Sequence, residues 1–502
     1  MLQRLALSLL ILFIHAPLAA AKPIVETDRW YAVFINGQQA GHTQELVTRD
    51  DEKKLIITKS NVKITIKRFK QNITLEIGSS FTETFDHKPV SATSRQLMGP
   101  SRTLQTLVFL DDGIQLISVQ GKQQHARKLP KIKEEWMTPG AASAYATKQF
   151  EKGIKEYSYK IVDATVGAKV IETTVQIGER ENIELLGKTV SAIRATERQS
   201  IMPQQELVTY IDDAGDALKM TVPMLPGMNM VMVLADKKFA TGKVNPQELL
   251  VSTLVRPDRG IDQPRKLKRG VYELSVKGDV EPASEEEKPF GLVESSSQKI
   301  DWVNGRTARV TVDLDKANST KEEAPGEEYS DASLMVNCND PKIKELAKQS
   351  LKGLPEGISA NRKAAMMRRF VARYIKAKDL SVAFATASDV ARTKQGDCTE
   401  HAVLLAAMLR AEKIPSRTIT GLVYVDQFVK QKNVFGYHMW TQAWLEDENG
   451  KGRWVDLDAA IPPMDATHIA LAESAMSDEG GIMDMASASN VLGRLSIKVI
   501  EP

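Results

Sequence analysis

Gln395-Gly396-Asp397-Cys398-Thr399-Glu400-His401-Ala402, followed at once by Val403-Leu404-Leu405-Ala406-Ala407-Met408-Leu409, is the stretch whose chemistry is most legible. Asp397 followed three residues later by Glu400, directly before an apolar run, is the pattern of a capping box that opens a buried helix. Cys398 is then the first helical residue. A thiol there faces the positive end of the helix dipole and backbone N–H groups without partners inside the helix, and both favour the thiolate. The same N–H groups suit an oxyanion formed on an attacked carbonyl. The plain alternative is a small buried thiol that helps the helix pack.

Downstream, Tyr437-His438-Met439-Trp440-Thr441-Gln442-Ala443-Trp444 alternates as a strand and puts His438, Trp440, Gln442 and Trp444 on one face. Arg453-Trp454-Val455-Asp456-Leu457-Asp458 alternates too, grouping Trp454, Asp456 and Asp458. A thiolate at a helix start, a strand histidine and a carboxylate on a neighbouring strand are the parts of a nucleophile, base and orienter. A two-residue turn at Asn449-Gly450 would set His438 opposite odd-numbered residues. An odd connection or one bulge, for which Gly450 and Gly452 are suited, sets it opposite even-numbered ones, Asp458 among them. Asp456 shares the face and is the reserve. Trp440, Trp444 and Trp454 suit either an acyl-donor groove or aromatic core packing.

Together these residues resemble the transglutaminase-like superfamily, whose papain-related fold is α+β. The resemblance rests on Gly396-Asp-Cys398-Thr-Glu-His-Ala402, Leu409-Arg-Ala-Glu-Lys-Ile-Pro-Ser-Arg417, His438-Met-Trp440 and Trp454-Val-Asp-Leu-Asp458-Ala-Ala460, in family order, over the stretch from Asp340 to Ala460. It implies Cys398 as nucleophile, His438 as its histidine and Asp458 as its aspartate, with a thioester that an amine or water resolves. Two departures stand out. No Trp lies between Trp302 and Trp440, which leaves oxyanion support to backbone donors, Gln395 or Trp440, and the family's Asp-Pro-Thr is here Asp458-Ala459-Ala460.

Upstream of this region the periodicity differs. Asp28 to about Lys238 reads as strands between polar turns, such as Tyr31–Ile35 before Asn36-Gly37, with one helix near Ala141–Glu151 between two similar strand runs. Further strands at Gly270–Val276 and Ala308–Val312 are punctuated by the acidic stretches Glu281–Pro289 and Lys321–Glu328, read as loops and a linker. Then Asp340-Pro341 starts a helix, and Met367, Phe370, Val371, Tyr374 and Ile375 form the apolar stripe of another, with Arg368, Arg369, Arg373 and Lys376 on a solvated back face. The expected fold is an α+β C-terminal transglutaminase-like domain behind a mainly antiparallel β region. Its divisions are a signal peptide at 1–21, a β-rich region of one or two units at 22–240, a β segment and acidic linker at 241–332, and the transglutaminase-like domain at 333–502.

The 502 residues, 42% hydrophobic and 26% charged, exclude a small disulfide scaffold and a disordered chain. A formal net charge of +3 is too near neutral to suggest nucleic acid as a partner. Arg4, the apolar run Leu5–Ile14 and Ala19-Ala20-Ala21 read as a secretory signal, so the expectation is an exported protein, periplasmic or extracellular, with no membrane segment after cleavage. Cys338 and Cys398 would ordinarily pair in such a compartment. Their surroundings differ, however: Cys338 lies in a strand-like run, Ser333–Cys338, ahead of a helix, and Cys398 opens one. His401 offers a Cys-x-x-His pair but no second ligand pair follows, so no metal and no cofactor is expected. His468 is expected in a loop facing solvent. The expected activity is acyl transfer or amide hydrolysis on a protein or peptide substrate. The alternative is a catalytically silent binding module of the same fold.

Overall fold

The computed structural model describes residues 23–68, 71–98, 101–120, 123–201, 205–225, 228–248, 253–277, 290–315, 322–377, 385–428, 430–447, 450–477 and 493–502. The leader-like segment 1–21 and the acidic stretch Glu281–Pro289 lie outside these residues. Among the described residues the chain is mostly antiparallel sheet with six α-helices, four of them in the C-terminal third. No described helix is long and apolar enough to cross a membrane.

The N-terminal strands build one fourteen-stranded sheet. Ile24–Ile35 lies at its middle, paired with Gln38–Asp50 on one side and Met228–Ala235 on the other. From Gln38–Asp50 successive hairpins run outward to Gln123–Leu129, and from Met228–Ala235 the order runs back through the chain to Glu156–Val162. The two strand runs of the sequence therefore meet in a single sheet. The local cause of the first hairpin is visible: Asn36 and Gly37 both take positive φ, 50° and 72°, as a two-residue turn matching the strand twist requires. The helix Pro139–Glu151, capped by Thr138 and with Pro at its start, packs against Glu156–Val162 and Leu55–Arg68.

Two four-stranded sheets follow. The first orders Gln298–Asn304, Thr307–Asp313, Arg269–Val276 and Leu495–Glu501, so the last strand of the chain completes a sheet begun some two hundred residues earlier. The second orders Gly452–Leu457, Gln431–Glu446, Ser416–Phe428 and Ile469–Ser474. Tyr272, Leu274 and Val310 of the first share a core with Leu422, Tyr424 and Phe435 of the second. A separate core joins Ala443, Leu445 and Leu457 to the helices Pro341–Ser350, Ala360–Tyr374, Ala387–Thr393 and Cys398–Ala411.

Asp340 caps the first of these helices by accepting from Lys342 N–H at 2.8 Å. Met367 and Val371 of the second are fully buried. Two sequence expectations fail here. Ser333–Cys338 is not a strand but a run of turns, held by Val336 N–H donating to Ser333 Oγ and Cys338 N–H to Val336 O. Arg368 does not face solvent; it is half-buried and donates to Asp458 O at 3.2 Å.

Candidate active site

The helix Cys398–Ala411 begins with the expected capping box: Asp397 Oδ1 accepts from Thr399 N–H at 3.1 Å, and Glu400 Oε2 accepts from Asp397 N–H at 2.8 Å. Glu400 is wholly buried and its other oxygen accepts from Ala385 N–H at 3.0 Å. Burial, with the Asp397 carboxylate beside it, pushes Glu400 up to about 8. The returning Glu400 side chain explains Gly396, which sits at φ +150° and whose added Cβ would stand 2.2 Å from Glu400 Cβ. Cys398 is thus half-exposed at the first helical position, and it and the buried Cys338 are both free thiols. Burial pushes the Cys338 thiol up.

His438 comes from the strand Gln431–Glu446 and is 4% exposed. Its Nε2 lies 2.8 Å from Asp458 Oδ2. Burial alone would lower its pKa, but the Asp458 carboxylate and a hydrogen bond with Cys398 outweigh that and raise it to about 9. With Nε2 on Asp458, the contact to the thiol falls to Nδ1. Burial works to raise the pKa of Asp458, yet His438 and His468 hold it well below the usual carboxylate range. Its Oδ1 accepts from Ala460 and Ile461 N–H at 2.7 and 3.1 Å.

The register between Gln431–Glu446 and Gly452–Leu457 is even-on-even: Gln442 faces Asp456 and Trp444 faces Trp454. It arises from an odd connection, with Asp447 N–H donating to Lys451 O at 3.0 Å and Gly450 at φ 76°; residues 448–449 lie outside the described ones. The strand ends at Leu457, so Asp458 lies just past it and meets His438 on the diagonal rather than directly opposite.

Asp456 is occupied elsewhere. Its Oδ1 accepts from Trp440 Nε1 at 2.7 Å and Gln442 Nε2 at 2.8 Å, and its Oδ2 accepts from Ser297 Oγ at 2.6 Å. This clamp fixes Trp440, whose ring stacks on His438 with centroids 6.0 Å apart. Trp440 and Trp454 are buried, so they serve the core rather than a groove. Gln395 is exposed and is not among the residues lining the space at Cys398.

His468 is the largest departure from expectation: far from meeting solvent, it is 2% exposed. Its Nε2 lies 3.1 Å from the same Asp458 oxygen that His438 uses, and its Nδ1 lies 3.1 Å from Asp465 O. Both neighbours are acceptors, so both contacts are hydrogen bonds only if both ring nitrogens carry protons. Burial opposes that charge, but Asp458 and Asp465 outweigh it and raise His468 to about 9. Asp465 in turn pairs with Arg265 at 2.7 Å. His438, Asp458 and His468 also place three ligand atoms within 4.8 Å of one another. Holding a metal there would require both imidazoles to give up the protons that bind Asp458.

A cavity of about 190 Å³ opens beside Cys398 and His438. Part of its wall comes from far upstream: Arg68, at the end of the strand Leu55–Arg68, pairs with Asp397 at 2.7 Å, and Leu254 lies across from Gly436. Nothing local in the sequence marks Arg68 or Leu254, because each reaches the site only through packing. His468 carried one signal, being a histidine close downstream of the aspartate.

Residues 346–459 match the model of the transglutaminase-like superfamily, so the C-terminal region is transglutaminase-like. No curated protein matches the chain. Among solved structures, a β-barrel-like protein of a domain of unknown function from Brucella abortus is 15% identical over 42% of this chain and 97% of its own, with a TM-score of 0.30. The periplasmic domain of TgpA from Pseudomonas aeruginosa is 14% identical over 41% of this chain and 92% of its own, with a TM-score of 0.25.

Proposed function

We propose, from the premise that residues 346–459 are transglutaminase-like, that the chain is an exported cysteine enzyme transferring or hydrolysing an amide acyl group through a thioester on Cys398. Export is supported by the leader-like pattern of Arg4, Leu5–Ile14 and Ala19-Ala20-Ala21. In the proposed cycle the Cys398 thiolate attacks the amide carbon. The oxyanion is met by the backbone N–H groups at the helix start. The C–N bond breaks as the His438 imidazolium gives its proton to the departing amine, leaving the thioester. Water or an amine, deprotonated by His438, then attacks; the C–S bond breaks and the thiolate returns beside a reprotonated His438. Asp458 holds the ring in the tautomer that keeps Nδ1 toward sulfur.

The observation that carries this reading is the half-exposed Cys398 at a helix start, hydrogen-bonded to a histidine whose other nitrogen sits 2.8 Å from a buried carboxylate. The test is the rate of Cys398 alkylation by iodoacetamide across pH, in protein from Lys22 onward carrying Cys338→Ser. Replacing His438 by Ala should slow the neutral-pH rate by about tenfold or more, on the low side of what a positioned base contributes. An unchanged rate would reassign the fold to binding.

A further inference from the structure

The cavity beside Cys398 is walled mainly by apolar side chains: Leu254, Val423, Val425, Phe428 and Ile461. Of its wall residues, Arg68 and Asp397 pair with each other at 2.7 Å and His438 lies 2.8 Å from Asp458, so the charges at this wall are already matched. Val423 stands opposite Gly436 in the strand register, and Gly436, two residues before His438, contributes no side chain to fill the space. Leu254 is held over it because Val255 exchanges backbone hydrogen bonds with Phe435 at 2.8 and 2.9 Å. The hairpin carrying Arg68 is pinned by Lys67 N–H donating to Gln247 O at 2.9 Å. The volume of about 190 Å³ equals about six waters at about 30 Å³ each, which a leucine or phenylalanine side chain would take.

We propose that this cavity is the subsite for an apolar side chain of the acyl donor, and that the N-terminal half of the chain completes it through Arg68 and Leu254. The substrate class is therefore a peptide or protein with a leucine- or phenylalanine-like residue at the acyl carbonyl. Transfer of such a side chain from water into the cavity favours it over a charged one, which would leave an unpaired ion on apolar walls. This rests on Cys398 being the nucleophile.

The test uses the same protein from Lys22 onward with Cys338→Ser, labelled at Cys398 by peptidyl chloromethyl ketones that end in Leu, Phe, Ala, Asp or Lys. Each rate is divided by that protein's own iodoacetamide rate, so side-chain preference is separated from thiol reactivity. Leu and Phe probes should react at least about tenfold faster than Asp and Lys probes, the scale of a few buried methylene groups. Gly436→Leu, which fills the cavity, should collapse that ratio. Leu254→Asp, at a half-buried loop position, should lower the Leu rate and raise the Lys rate. Normalised rates independent of side chain would overturn the subsite while leaving Cys398 and His438 as proposed. An iodoacetamide rate indifferent to His438→Ala would overturn both.

Discussion

Two imidazoles divide one carboxylate oxygen: His438 at 2.8 Å and His468 at 3.1 Å from Asp458 Oδ2. Around them face Cys398, Asp465 backed by Arg265, and Arg368 on the Asp458 carbonyl. The second imidazolium draws on the charge that would otherwise hold the proton on His438. With His468→Gln, Asp458 answers to His438 alone, so the His438 ring proton, followed by NMR titration, should leave at a higher pH; a downward shift would contradict the sharing. The same groups set a stability profile. Both histidines lie near 9 against about 6.5 in an unfolded chain, so their stabilisation is complete below about pH 6.5 and is lost as pH rises through about 9. Asp458 acts in the opposite sense, stabilising above its unfolded value of about 3.9 and losing that only as pH falls through its lowered folded value. Urea midpoints should accordingly drop between about pH 6.5 and 9 in the native sequence and drop less in His468→Gln.

At the scale of the element, the cysteine helix depends on a glycine ahead of its cap. Gly396→Ala would place a methyl 2.2 Å from Glu400 Cβ at φ +150°, so the turn, the capping box or both must shift. We expect a loss of about 2 kcal/mol in chemical denaturation, together with slower Cys398 alkylation; retention of both would mean the cap does not position the thiol. The strand element shows how register and chemistry are linked. A three-residue connection rather than a two-residue turn keeps Gln442 facing Asp456, and a slip of one residue would turn every side chain of the strand to the other face. The cap was legible in the sequence because it is local; the odd connection followed only from requiring His438 and an aspartate of the next strand on one face. The diagonal meeting of His438 with Asp458 was not legible, since it depends on where the last strand pair ends.

At the scale of the whole molecule, the chain closes on itself. Leu495, Ile497 and Val499 of the last strand are each 3% exposed and pack in the core shared by the two four-stranded sheets. Burying three such side chains contributes about 2 kcal/mol apiece, comparable to the net stability of an ordinary domain. Truncation after Arg494 should therefore lower the melting temperature sharply or yield aggregated protein in size-exclusion chromatography. An unchanged melt would mean that the terminal strand is dispensable.

What the sequence determined alone lies within single elements: the capping box at Asp397, the alternation read over 437–445 and 453–458, and the order of motifs that marks a transglutaminase-like core. These follow from hydrogen bonds and periodicities spanning a few residues. The tertiary structure decided the rest. It buried His468 against Asp458, turned Arg368 inward, took Asp456 away from His438 by giving it Trp440 and Gln442, and brought Arg68 more than three hundred residues along the chain to Asp397. Each of these contacts joins positions whose separation carries no periodic signal, so only the packing of sheets and helices sets them.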